Sequence, residues 1–226
     1  MAGLSFDGFV SAADLMPAFL PGSRILFQGD SITDGNRGRS ADPNHILGHG
    51  YVFIISAFYG ALYPERNLEF MNRGVSGNTV NDLAKRWQKD TVALKPDILS
   101  ILIGINDTSA NIPVETFEKN YDKLLAETVA ALPKVCLVLG EPFTLPSGKV
   151  KKNFGTWKAD VKKRAAVVEK LAAKYKVPIV HYQHAFDEAC KRAPAEYWIW
   201  DGIHPTYSGH KIMADEWVRT VRQFCR

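Results

Sequence analysis

The chain predicts a three-layer α/β/α sandwich around a five-stranded parallel sheet. Short apolar runs alternate with longer segments of helical period from Arg24 onward, no Gly/Ser linker or repeat interrupts that alternation, and polar segments follow four of the apolar runs. With 226 residues, 46% hydrophobic and 23% charged, the chain suits a packed domain and excludes disordered, collagen-like and coiled-coil classes.

The apolar runs place strands at residues 25–28, 68–72, 97–103, 134–139 and 177–181. Helices fall at 51–63, 80–89, 114–131, 157–174, 185–192 and 208–224. In the 114–131 helix Phe117, Tyr121, Leu124, Thr128 and Leu132 recur every three or four residues, with Glu118, Lys119, Asp122 and Lys123 between them, so one stripe faces the sheet. Thr79 with Asp82 forms a capping-box pattern ahead of the 80–89 helix, and Pro113 stands where 114–131 begins. Residues 1–23 read as an added surface arm and 24–226 as one domain.

Twenty-eight Lys and Arg against 24 Asp and Glu give a net charge of +4, too mild to indicate a partner. Cys136, Cys190 and Cys225 are odd in number and lack C-x-x-C spacing, so neither a disulfide framework nor a zinc ribbon is expected. The longest nearly apolar stretch, 52–63, stops at Pro64, short of the ~18 residues of a membrane span. The N-terminal residues lack a basic region followed by an apolar core, which favours a cytoplasmic protein; a removed leader would make it secreted or periplasmic.

In an open parallel sheet, working groups gather beyond the carboxyl ends of the strands. Gly29-Asp30-Ser31-Ile32-Thr33-Asp34-Gly35 follows the first strand, where Ser31 can present a hydroxyl and its own N–H as a nucleophile candidate. Gly77, in the segment after the second strand, can donate a backbone N–H to an oxyanion. Asn106, after the third strand, can add a neutral amide donor. Asp201, three residues ahead of His204, can accept from imidazole Nδ1 and leave Nε2 free as a base. Each segment alone also reads as an ordinary turn; together they supply every part of an acyl-transfer site.

These four blocks resemble the SGNH hydrolases, also called GDSL esterases, in family order from Ile25 to about Ala214. The runs Gly29-Asp30-Ser31-Ile32-Thr33-Asp34, Gly74-Val75-Ser76-Gly77-Asn78-Thr79-Val80, Ile103-Gly104-Ile105-Asn106-Asp107 and Trp200-Asp201 look most like the acetylxylan esterase branch. The resemblance implies a flavodoxin-like SGNH hydrolase fold and a serine esterase that removes O-acetyl groups from xylan, its oligosaccharides or a similar glycan, with no metal or organic cofactor. It implies Ser31 as nucleophile, His204 as base, Asp201 as its partner, and the Ser31 and Gly77 N–H groups with the Asn106 side chain as the oxyanion hole. One departure stands out: Thr108, Ser109 and Ala110 occupy positions where relatives often carry an aromatic and a basic residue, which leaves the acyl pocket open.

Trp200, beside Asp201, is the aromatic candidate for stacking on a sugar, whereas Trp198 reads as core; Arg37, Arg73 and Asn78 are candidates for bonding hydroxyls. A lipase or lysophospholipase is the nearest rival, but the loops after the strands are polar. A metal-dependent hydrolase would need His45 with His49 or His181 with His184, pairs that read better as structural or solvated. A non-catalytic glycan-binding module is a third reading. Nucleic-acid binding is not expected, because Lys151-Lys152 and Lys162-Lys163-Arg164 read as a loop and a solvated helix face. No membrane partner is expected, and assembly as a homo-oligomer stays open.

Overall fold

A computed structural model describes residues 16–40 and 42–225. Strands β1 (Arg24–Gly29), β2 (Glu69–Asn72), β3 (Ile98–Leu102), β4 (Cys136–Gly140) and β5 (Ile179–Val180) form one parallel sheet in the order β2-β1-β3-β4-β5. Ile25 stands opposite Phe70 on one side and Ile98 on the other, so β1 is held along both edges. All five expected strands are present. β5 is shorter than 177–181 because the Val177 N–H bonds back to Ala172 O and Pro178 has no N–H to offer, so strand residues start at Ile179.

Side-chain alternation along the strands creates two apolar layers. Ile25, Phe27, Ile98, Val138 and Val180 pack with α2 (Tyr51–Leu62), α7 (Tyr182–Ala189) and α9 (Tyr207–Phe224). Leu26, Leu99, Ile101, Leu137 and Leu139 face α3 (Val80–Asp90), α5 (Val114–Ala131) and α6 (Phe154–Tyr175). The α5 stripe includes Thr128 because its buried hydroxyl accepts from Trp87 Nε1 at 2.9 Å and donates to Leu124 O at 2.7 Å. The expected capping box of α3 is formed by Thr79 and Asp82. α6 and α7 each begin three residues earlier than their apolar periodicity indicates. The one-turn helices α1 (Ser31–Asp34), α4 (Ile105–Ser109) and α8 (Ala195–Trp198) are too short to leave a periodic signal. Among the described residues, no helix is long and apolar enough to cross a membrane.

Three expectations are corrected. Of the anticipated surface arm, residues 16–23 lie within the described residues: they run along the surface, with Pro17 and Leu20 to Gly22 exposed, but are anchored in the core by two side chains; residues 1–15 lie outside them. Met16 and Phe19 are buried, and the Phe19 ring meets Tyr59 and Phe70 edge-on at 5.0 and 5.7 Å. Cys136 and Cys225 form a disulfide, since the start of β4 and the end of α9 meet although they are 89 residues apart; Cys190 is the free thiol. Arg164 is buried at 1% exposure beside the exposed Lys162 and Lys163. Helical geometry explains this: Arg164 shares a face with Val161, Val168 and Leu171, all buried, while the two lysines point away.

Because Phe19 closes the gap between α2 and the β2 edge, Phe19→Ala is expected to cost about 3–5 kcal/mol in urea unfolding. A cost below about 1 kcal/mol would show that segment 16–23 contributes no core packing.

Candidate active site

The chain leaves β1 and turns at once into α1, whose first residue is Ser31. Asp30 caps that turn by accepting from Ile32 N at 3.0 Å. Ser31 Oγ lies 2.8 Å from His204 Nε2, and His204 Nδ1 lies 2.8 Å from Asp201 Oδ2. Residues 173 positions apart are thus joined in one hydrogen-bonded chain. The other Asp201 oxygen, Oδ1, accepts from the backbone N–H groups of Ile203 and His204 at 3.0 and 2.7 Å. One carboxylate therefore both closes the turn and orients the ring, so the turn and catalytic readings of this segment coincide. Burial alone would raise the Asp201 carboxyl, but the backbone and ring hydrogen bonds from His204 outweigh it and hold the group at about 2.

A lysine that the sequence reading did not single out reaches the same oxygen. Lys149 Nζ stands 3.2 Å from Asp201 Oδ2. Gly148 makes this approach feasible: its φ is +46°, and a Cβ there would collide with Asp201 Cα. Thr144 Oγ1 donates to Gly202 O at 2.8 Å, and Ser147 Oγ bonds Ile199 O, so the segment after β4 grips both ends of the catalytic loop.

The expected oxyanion donors stand on the three segments that follow β1, β2 and β3. Gly77 occupies a turn before α3 with φ +82°, and its N–H has no hydrogen-bond partner among the described residues. Ser31, as the first residue of α1, has an N–H that the helix itself does not engage. Asn106 lies in the first turn of α4, and its Nδ2 donates to Asn78 O at 3.1 Å, tying α4 to the Gly77 turn while one amide hydrogen remains. The buried Asp107 carboxylate accepts from Val80 N at 3.1 Å and locks α4 to the start of α3; burial pushes its pKa to about 6. Asp34 accepts from Ser76 N at 2.9 Å and from Arg39 Nη2 at 2.7 Å, which fixes the Gly77 loop against α1.

Beneath α4 sits Arg164. Its Nε donates to Thr108 Oγ1 at 2.9 Å, and its Nη2 reaches Asp107 O at 3.1 Å and Ile112 O at 2.7 Å. Thr108 is thus engaged in bracing the loop from below. The signal for this residue was its helical register, masked by the two lysines before it.

The four substrate-binding candidates divide. Trp200 is exposed beside the triad, its ring tilted 25° from His204 with centroids 6.3 Å apart. Arg73 makes no side-chain hydrogen bond among the described residues. Arg37, a candidate for bonding hydroxyls, directs Nε to Gly74 O at 3.0 Å, and its two Nη groups make no hydrogen bond among the described residues. Burial and the charges of Arg39 and Arg73 lower it to about 10, with Asp34 opposing. The Asn78 side-chain oxygen is likewise occupied by Arg86 Nε at 2.7 Å. Trp198 is buried, as expected. A cavity of about 620 Å³ is lined by His49, Trp200, Pro205, Thr206, Tyr207 and His210, on either side of His204 in the chain. Burial, with smaller effects from His49 and His204, lowers His210 to about 4, consistent with a neutral ring whose Nδ1 accepts from Tyr51 N at 3.2 Å.

This arrangement, a serine backed by an imidazole and a carboxylate at the edge of a parallel sheet, defines a serine acyl hydrolase of the α/β class. The chain belongs to the GDSL-like lipase/acylhydrolase family, which matches residues 27–212. It is 32% identical over 212 residues to an acetylxylan esterase of Geobacillus stearothermophilus, covering 88% of this chain and 94% of that one. The crystal structure of that organism's acetylxylan esterase Axe2 superposes with a TM-score of 0.79 at 32% identity, over 90% of this chain and 96% of the other. A protein of Parabacteroides merdae described as a GDSL-like lipase gives a TM-score of 0.84 at 37% identity, over 88% and 96%.

Asp30 is fully buried and its Oδ2 has no hydrogen-bond partner among the described residues. Burial, reinforced by the charges of Asp107 and Asp34 against the Ile32 hydrogen bond, lifts it to about 7. A raised carboxyl holds its proton more tightly folded than unfolded, so its stabilising contribution is full below about pH 4 and is lost as pH rises to about 7. Urea unfolding of Asp30→Asn from pH 4 to 7 is expected to show stability rising relative to wild type, by about 1.4 kcal/mol for each unit between the two pKa values. Parallel profiles for the two proteins would refute a raised Asp30.

Proposed function

We propose that this protein is a serine carbohydrate esterase that removes O-acetyl groups from xylan, xylo-oligosaccharides or a similar acetylated glycan. The observation that carries the reading is the chain of two 2.8 Å contacts from Ser31 Oγ through His204 to Asp201. The names of the relatives support the substrate class, one being an acetylxylan esterase. Variants of Axe2 described as catalytic replace a serine and an aspartate, and a further Axe2 variant replaces the tryptophan that directly precedes that aspartate, as Trp200 precedes Asp201 here.

In this reading the Ser31 hydroxyl attacks the acetyl carbonyl carbon as its proton passes to His204 Nε2. The Ser31 and Gly77 N–H groups and the remaining Asn106 amide hydrogen receive the developing oxyanion. Collapse breaks the bond to the sugar oxygen, which takes the proton from the imidazolium and leaves as an alcohol. Water, deprotonated by the same nitrogen, then releases acetate and restores Ser31. Asp201 remains a carboxylate throughout: it holds Nδ1–H in place and stabilises the imidazolium. Trp200 offers an exposed aromatic face for the sugar ring.

For location, the cytoplasmic expectation is set against the Cys136–Cys225 disulfide. Such bonds persist mainly in oxidising compartments, which favours the secreted or periplasmic alternative.

Acetate release from acetylated xylo-oligosaccharides should be abolished in Ser31→Ala, fall about 10⁴-fold in Asp201→Asn and about 10²–10³-fold when the Asn106 donor is lost in Asn106→Ala. Near-wild-type turnover in Ser31→Ala would end the proposal. Faster hydrolysis of octanoyl than acetyl esters would favour the lipase alternative.

A further inference from the structure

At the β4 and β5 end of the same sheet edge, a second group of side chains converges without a role in the triad. Glu141 directly follows β4, His181 directly follows β5, and Glu169 projects from α6. A carboxylate oxygen from each glutamate and a ring nitrogen of the histidine lie within 4.8 Å of one another. We propose that Glu141, Glu169 and His181 form a binding site for a divalent first-row transition cation, with Zn²⁺ the fitting ion.

The donor types suit such an ion: one imidazole nitrogen and two carboxylates, drawn from three elements that the fold holds in place. The spacing also fits. Two ligands ~2.1 Å from a tetrahedral ion stand about 3.4 Å apart. His181 Nδ1 lies 3.6 Å from Glu141 Oε2, too long for a good hydrogen bond and close to that ligand separation.

The state of Glu141 gives an independent argument. It is 94% buried, from its 6% exposure, and burying a carboxylate is costly unless a cation faces it. Its Oε1 accepts from Gln183 N at 2.9 Å, whereas its ion-pair partner among the described residues is His181 alone. Lys158 and Lys162 line the adjoining cavity of about 420 Å³, yet neither lies within ion-pair distance of it. His184 and Asp187 border the same cavity and offer further donors beside the trio.

Such an ion would clip β4 to β5 and to α6. The clip extends towards the catalytic loop, because Gln183 Oε1 accepts from Thr144 N at 3.0 Å and Thr144 in turn holds Gly202 O. The role is structural, and the site stands apart from the esterase chemistry.

The test is calorimetric titration of Zn²⁺ into the full chain after chelator treatment, with thermal unfolding in parallel. The expected result is one Zn²⁺ per chain and a higher Tm on binding. Affinity should fall at least tenfold in Glu169→Gln, in His181→Asn and in Glu141→Gln, and stay unchanged in His45→Asn. The exposed Glu169 provides a variant that does not disturb the core. Absence of Zn²⁺ binding would overturn the proposal, as would undiminished affinity in Glu169→Gln and His181→Asn, or loss of binding in His45→Asn.

Discussion

The contact between Ser31 Oγ and His204 Nε2 is the constraint on which the rest of the molecule's chemistry depends. A serine hydroxyl is a weak nucleophile until a base stands within hydrogen-bond reach, and here the base arrives from the far end of the chain. Neither residue is placed by its neighbours in sequence alone. β1 delivers Ser31 to the sheet edge, while the loop between α8 and α9 delivers His204, and the packing of α2 and α9 on one face of the sheet brings these elements together.

Precision at that contact comes from buried polar groups rather than from the apolar layers. Asp34 ties α1 to the Gly77 loop, Asp107 ties α4 to α3, and Arg164 braces α4 from the helix beneath. Hydrogen bonds to neighbouring backbone and side chains offset part of the cost of burying these groups, although burial still raises Asp107 and leaves Arg164 Nη1 without a partner among the described residues. The Asp201 carboxylate follows the same logic, since one oxygen holds the loop and the other holds the ring.

Much of this was legible in the sequence because it is local. Alternating apolar runs marked the five strands, and Thr79 with Asp82 marked the start of α3. The four polar segments that carry Ser31, Gly77, Asn106 and Asp201 with His204 were visible because catalytic groups cluster where strands end. What escaped was tertiary. Arg164 reads as one of three surface cations until its helix is wound, and Lys149 touches Asp201 only because Gly148 permits a backbone approach. The Cys136–Cys225 bond joins segments whose proximity no spacing rule conveys, and Phe19 packs as core although it precedes the first strand. Residue type alone did not show that Arg37 Nε and the Asn78 side-chain oxygen would be held by protein groups of the surrounding loops.

The most direct measurement of the central contact is covalent labelling by a fluorophosphonate, which reacts with a serine only when its hydroxyl is activated. Peptide mapping should place a single adduct on Ser31, and the labelling rate should fall by orders of magnitude in His204→Ala while the protein remains folded. An adduct on another serine, or labelling of Ser31 at an unchanged rate without His204, would contradict the account.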